Sequence, residues 1–346
     1  MKSQWQIASM VGAVILTVAG AASAAEWEDR LQKLYPAAKA EGQLIFNTER
    51  IEEIGGKDGV AKFEKRFPGV KLNLTGIAAS QLAPRIMAEA KTGRVSIDIM
   101  RGDPNRAEPL AERDLLVTLV AAELTDKPVK TFFDNRFIKL SDHVTNFVYN
   151  TDFVKPADVP KTYEDLLNPK WERKLVLDAR GGQIAHLLST KVWEEKRFWD
   201  FAKGLKDQKP VWTSRNTEAM AKITSGEGWI GTGSYAAIEE LKAKGAPVEF
   251  MFLSPALSQI RGASIIKGSA NPNAAKLFLG WLLSPEGAEA RDKYAVGMIE
   301  PGSILFKKVQ AAGAQIAYEE TLEQLDSRDQ VADKITTEWG VLKQAR

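Results

Sequence analysis

The 346-residue chain has no cysteine and two histidines. Without cysteine there are no disulfides, no thiolate metal sites, no cysteine nucleophile and no acylated cysteine to act as a lipid anchor. His143 and His186 lie far apart in sequence, so bases and imidazole metal ligands are in short supply. No G-x-S-x-G or H-E-x-x-H pattern occurs, which leaves a hydrolase only Asp/Glu chemistry that no motif supports. Charge of one sign is also lacking: 47 Lys+Arg stand against 45 Asp+Glu. That balance offers nothing to a nucleic-acid backbone. Repeats and low-complexity tracts are absent, and no run is apolar for the ~20 residues that a bilayer span needs.

The longest apolar run, about Ile7 to Gly20, follows Lys2 and precedes Ala22-Ser23-Ala24. A short basic start, an apolar stretch and a small-x-small site predict a secretory signal over residues 1–24, cleaved after Ala24. The expected product is a periplasmic protein with no stable membrane insertion. Its length exceeds one typical core and predicts two domains.

Strand patterns that empty into loops organise the rest. Gln43 to Phe46 reads as a buried strand ending in Asn47-Thr48-Glu49-Arg50. Ligands of open α/β sheets sit beyond the carboxyl ends of strands, so Thr48, Glu49 and Arg50 are site candidates by position; a solvated loop charge explains Arg50 equally well. Val70 to Leu74 reads as a strand, and Ser80 as the N-cap of a helix from Gln81 to about Thr92. Val95 to Met100 reads as a strand ending in Arg101-Gly102-Asp103-Pro104. There Arg101 is either an anion clamp or the partner of Asp103 or Glu108. Leu175 to Leu177 runs into Asp178-Ala179-Arg180-Gly181-Gly182 before a helix. That loop either turns outward backbone N–H groups on an anion or is a plain glycine turn. Thr213 to Thr217 supplies caps for a helix over Glu218–Ile223. Ser254-Pro255 to Arg261-Gly262 reads as a loop, and residues beyond Phe306 as a helical tail.

The run Tyr149-Asn150-Thr151, the segment from Pro160 to Trp171 (Pro-Lys-Thr-x-x-Asp-Leu-Leu-x-Pro-Lys-Trp) and the stretch Gly226 to Tyr235 resemble the periplasmic solute-binding proteins of ABC importers. The narrower resemblance is to the family 1 extracellular solute-binding proteins, which include ferric-iron binders. Asn271 to Leu279 and Leu282 to Gly287 extend it over nearly the whole mature chain. The resemblance implies an α/β fold with two lobes joined by two crossing hinge segments. It places lobe one over 25–142 plus 255–346 and lobe two over 143–254. It implies a binding protein and no enzyme, a monomer without cofactor, and delivery to a separate permease and ATPase.

The same resemblance brings further positions into the site. Ser80 and Arg215 or Asn216 match places where the family faces its ligand, and Thr232, Ser234 and Tyr235 are candidates from the small-residue loop that ends the Gly226 to Tyr235 stretch at a helix start. Ferric binders carry two adjacent tyrosines, hard anionic ligands for Fe(III); here Tyr235 is followed by Ala236 and Ala237, and half the pair is missing. Arg101 departs from the small or polar residue usual in the family and is the candidate determinant of ligand choice. Arg50, Arg101, Arg180, Arg215 and Arg261 all fall at predicted loop ends, which favours a small anionic ligand, a carboxylate or phosph(on)ate. The alternatives are ferric iron with a synergistic anion, for which Tyr235 would be a ligand, and a secreted hydrolase with carboxylate chemistry.

Overall fold

The computed structural model describes residues 26–48, 50–294, 296–299 and 302–341. The expected signal segment 1–24 and the candidate Glu49 lie outside these residues. The elements run α1 (26–41), β1 (Gln43–Asn47), α2 (Gly56–Arg66), β2 (Lys71–Thr75), α3 (Ala79–Lys91), β3 (Ile99–Gly102), α4 (Pro104–Ala111), α5 (Ala121–Leu124), β4 (Thr131–Phe132) and β5 (Phe137–Asn150). There follow β6 (Leu175–Asp178), α6 (Gly182–Ser189), α7 (Glu195–Asp207), β7 (Val211–Thr213), α8 (Asn216–Ser225), β8 (Ile230–Ser234), α9 (Tyr235–Ala243) and β9 (Val248–Phe250). The chain closes with β10 (Ala256–Ile265), α10 (Pro272–Leu283), α11 (Pro285–Asp292), α12 (Ile304–Ala311), β11 (Ile316–Tyr318) and α13 (Leu322–Trp339). Among the described residues no helix is long and apolar enough to cross a membrane.

The chain divides into two compact units. The first holds residues up to Gly102, Arg106–Leu140 and Gly262–Arg291; the second holds Asp103–Asn105, Ser141–Arg261 and the chain from Asp292.

In the first unit, β1 pairs in parallel with both β2 and β3, and the end of β10 pairs antiparallel with β3. Asp98, almost wholly buried, accepts from the Ile45 N–H at 2.6 Å and from the Asn271 side-chain amide at 3.0 Å. One carboxylate therefore fixes the start of α10 to β1. The apolar face of α10 packs here: Phe278 lies edge-on to Phe46 and Phe63, with ring centroids 5.3 and 4.9 Å apart.

In the second unit, β5, β8, β6 and β7 lie in that order. β5 is antiparallel to β8, whereas β8, β6 and β7 run parallel. Strand alternation separates two apolar clusters. Phe147, Leu175 and Leu177 meet α6, α7 and α13 on one face, while Val148 and Val176 meet α8 and α9 on the other. Glycines 231 and 233 are required on the second face. A Cβ on Gly233 would stand 2.7 Å from Val148 Cγ1, and one on Gly231 2.4 Å from the Val176 carbonyl.

Three expectations are corrected. Residues 254–262 are not a loop: β10 occupies 256–265, because Ala256, Leu257, Ile260 and Ala263 are all buried in sheet pairing. The return between units falls at Arg261/Gly262, inside that strand, while β9 stays in the second unit as a partner of β5. The C-terminal tail is not purely helical and does not belong with residues 25–142. It contains β11, and from Asp292 it clusters with the second unit, so the chain passes between units once more at Arg291/Asp292. The cause is apolar: Val331, Ile335 and Trp339 pack in the α6–α7 cluster, and Trp339 Nε1 donates to the Ala202 carbonyl at 2.8 Å.

A charged group is enclosed under this tail. Arg328 Nη1 contacts both Glu319 carboxylate oxygens at 2.8 and 2.9 Å, and His186 Nε2 lies 3.6 Å from one of them. Burial, then the charge of Arg328, pushes the His186 imidazole down to about 3. Burial pushes Glu319 up to about 7 against the pull of Arg328 and Arg261.

Two outcomes follow from this packing. Gly181 adopts φ +69°, and a Cβ there would lie 2.8 Å from Ile335 Cγ2. Gly181→Ala should destabilise by about 1–2 kcal/mol, read as a lowered thermal midpoint. His186 has a depressed folded pKa, so it supplies stability above 6.5 that is lost as pH falls towards about 3. Glu319 acts oppositely: its raised pKa makes stability decline as pH rises from 4.5 to about 7. Relative to the parent, His186→Leu should therefore gain in urea midpoint as pH falls below 6.5. Parallel pH profiles for the two proteins would refute the assignment.

Candidate functional site

Parallel strands that return through helices bring three helix starts to one edge of the second unit. β6 leads into α6 through Asp178 to Gly181, β7 into α8 through Ser214 and Arg215, and β8 directly into α9. The N-cap residues are Gly181, Arg215 and Ser234, and none supplies a side-chain cap bond. Each first turn thus keeps backbone N–H groups and the positive end of its helix dipole for an external acceptor. Beside Gly182, the first residue of α6, a Cβ would meet nothing within 4 Å.

The side chains at this edge have distinct tasks. Thr232, buried, accepts from the Asp178 N–H at 3.2 Å and joins the ends of β8 and β6. Arg180 folds back on Asp178, with Nε 2.9 Å from Oδ1, and its side chain stays 62% exposed. Arg215 is exposed, and Asn216 is half-buried as the first residue of α8. The hydroxyl and amide residues expected to cap this helix do not; the Ser214 N–H and hydroxyl both bond Glu218 Oε2 at 2.9 Å. Ser234 is buried at the start of α9. Tyr235 is buried in the core of the second unit. Its ring contacts Phe250 and Phe252 at 5.4 and 5.3 Å between centroids. Burial, followed by the carboxylates of Glu239, Glu249 and Asp292, drives its phenol well above the usual range.

The first unit gathers a second group at the carboxyl ends of β1 and β3. Thr48, buried, donates to Glu53 Oε2 at 2.8 Å and accepts from the Arg50 N–H at 3.1 Å. Arg101 Nη1 lies 2.6 Å from the same Glu53 oxygen, its side chain 7% exposed. Burial lowers the Arg101 pKa, the Glu53 carboxylate restores part of it, and the nearby Arg50 charge lowers it again. The carboxylate on Arg101 is therefore Glu53, where sequence offered Asp103 or Glu108. Asp103 belongs to the second unit and bonds Arg261, whose Nη2 also donates to Gln259 Oε1 at 3.2 Å. Ser80 is not the cap of α3: the helix begins at Ala79, with Ala78 at the N-cap, so Ser80 lies inside the first turn.

Three of the five candidate arginines, Arg101, Arg180 and Arg261, thus carry carboxylate partners. Those pairs leave little net field. The uncapped helix starts, which sequence suggested only at Gly181-Gly182, are a further electropositive feature. Glu53 was missed because nothing in a linear pattern marks the partner of a buried arginine.

Arg101→Ala would leave the nearly buried Glu53 carboxylate without its guanidinium. The expected loss is on the order of 3 kcal/mol, read as a lower thermal midpoint of the unliganded protein. Adding Glu53→Gln to Arg101→Ala should recover part of it. An unchanged midpoint for Arg101→Ala would instead assign the guanidinium to solute binding.

Comparison with known proteins agrees with this architecture. The model of the bacterial extracellular solute-binding proteins matches residues 59–312. An uncharacterised protein of Haemophilus influenzae is 32% identical over 137 residues, 38% of this chain and 40% of that protein's own length. The major ferric iron-binding protein of Neisseria meningitidis serogroup A is 25% identical over 260 residues, 71% of this chain and 77% of the relative. Among solved structures, iron-bound HitA from Pseudomonas aeruginosa superposes with a TM-score of 0.64 at 20% identity, covering 86% of this chain and 99% of that one. The family match spans most of the described chain, and its fold is that of type 2 periplasmic binding proteins: the protein belongs to the bacterial extracellular solute-binding family.

Proposed function

We propose that the protein captures a small anionic solute, a carboxylate or phosph(on)ate, in the periplasm and delivers it to an ABC permease and its ATPase. The observation that carries the reading is the set of three helix starts, α6, α8 and α9, that lack side-chain caps along one edge of a parallel sheet. Backbone N–H groups in that arrangement suit oxyanions whatever carbon skeleton they carry. The solute is bound and released without chemistry. On this reading the protein works as a monomer after removal of its signal segment. On this reading the candidate contacts in the second unit are Asp103, Arg180, Gly181, Gly182, Arg215, Asn216, Thr232, Ser234 and Arg261, and those in the first unit, taken by itself, are Thr48, Arg50, Ser80 and Arg101.

A second reading, ferric iron with a synergistic anion, is favoured by the names of the Neisseria meningitidis and Serratia marcescens relatives, both ferric binders. The residues at hand speak against it. Tyr235 has no neighbouring tyrosine, its ring is packed among phenylalanines, and nearby carboxylates oppose its ionisation. Among the described residues no three His, Asp or Glu side chains gather where they would hold a metal.

Thermal melts with pooled carboxylates and phosph(on)ates, beside neutral sugars, separate the solute classes. At a hundredfold excess over Kd a true solute should add about 2.7 kcal/mol of stability. A shift with sugars alone would overturn the anion reading. Adding ferric citrate should leave the protein colourless, and a visible tyrosinate-to-iron band would establish the second reading in its place.

A further inference from the structure

Gln183 is the second residue of α6 and is only 7% exposed. Its Nε2 donates to the backbone carbonyl of Asn146 in β5. A carbonyl only accepts, so this bond fixes the orientation of the amide and leaves Oε1 as a pure acceptor. That oxygen is buried and bonds no protein group, and the same holds for the hydroxyl of Thr145, which is 2% exposed. Buried polar atoms without partners are uncommon, because each costs stability in the folded state.

Strand alternation places the two together. Thr145 lies on the face of β5 that carries Phe147, and Phe147 packs in the cluster that includes Ile184 and Ala185 of α6. Thr145 also stands opposite Ser234, the uncapped start of α9. Two unpartnered buried oxygens from separate elements therefore sit beside two uncapped helix starts. The helix ends attract an anion. An acceptor-only oxygen next to them repels the oxygens of that anion and needs an O–H or N–H.

We infer that Gln183, with the Thr145 hydroxyl beside it, is a specificity-determining residue that makes the site select anions bearing a hydroxyl or amino group over the corresponding plain anions. The inference rests on the reading of this edge as the solute site. A plain carboxylate or phosphate leaves Gln183 Oε1 unbonded, whereas a donor on the adjacent carbon satisfies it. Sites built to hydrogen-bond a substrate group reject the analogue that lacks it, since the buried partner is then left unpaired.

The test uses matched probes on the full chain: propionate with lactate, succinate with malate, and ethyl phosphate with 2-hydroxyethyl phosphate, followed by calorimetry and thermal melts. In the pairs that bind, the hydroxylated member should be about five- to tenfold tighter. Gln183→Met should abolish the preference while the plain member still binds. Thr145→Val should leave the unliganded melting point unchanged or higher, since it removes an unbonded hydroxyl, and should weaken the hydroxylated probe. Equal affinity within every pair, or a preference that survives Gln183→Met, overturns the inference and leaves the anion reading standing. A lower melting point with unaltered affinity for Thr145→Val assigns these oxygens to internal water and also overturns it. No response to any probe overturns the anion reading and this inference together.

Discussion

The parallel alignment of β8, β6 and β7 is the constraint on which the second unit depends. A parallel strand is reached only by a crossover: β6 returns to β7 through α6 and α7, and β7 to β8 through α8, while β8 runs on into α9. α6, α8 and α9 begin where their strands end, so their positive termini fall on one edge. The electrostatic character of that edge is a consequence of topology and needs no excess of basic residues. A chain with almost balanced charge can therefore gather three positive helix termini along one edge.

Small residues allow the strands to take this arrangement. In β8 the sequence Ile230-Gly231-Thr232-Gly233-Ser234 alternates between a face of two glycines and a face that carries Ile230 and two hydroxyls. The glycines let Val148, Val176 and Met220 close over the strand. The hydroxyls face α6, and Thr232 holds Asp178 in place.

Arginines at strand ends divide their work differently from what their positions suggest. Guanidinium groups buried as deeply as Arg101 need a carboxylate close by, because desolvation disfavours the isolated charge. Glu53 meets that need for Arg101, while Asp178 and Asp103 pair with the more exposed Arg180 and Arg261. In the tail the same principle encloses Arg328 with Glu319, and His186 beside them is held neutral by burial and by the guanidinium charge. That enclosed group lies beneath the elements that bind the C-terminal helix to the second unit.

Local pattern by itself determined much of this protein. Absent cysteine and balanced charge excluded whole classes, the pattern of Leu175 to Gly182 marked a strand that empties into a glycine loop before a helix, and the α/β fold was implied by the family resemblance of residues 149–151, 160–171 and 226–235. Element types depend on short-range spacing, which a linear sequence carries. Tertiary structure alone decided which unit takes the C-terminal tail, that residues 256–265 form a strand, that Glu53 neutralises Arg101, and that Tyr235 turns into the core while Gln183 presents a buried acceptor. Each of these depends on partners distant in the chain. A carboxylate three residues beyond Arg50 and a carbonyl on β5 leave no mark on the local pattern around Arg101 or Gln183, so burial and pairing had to be read from the fold.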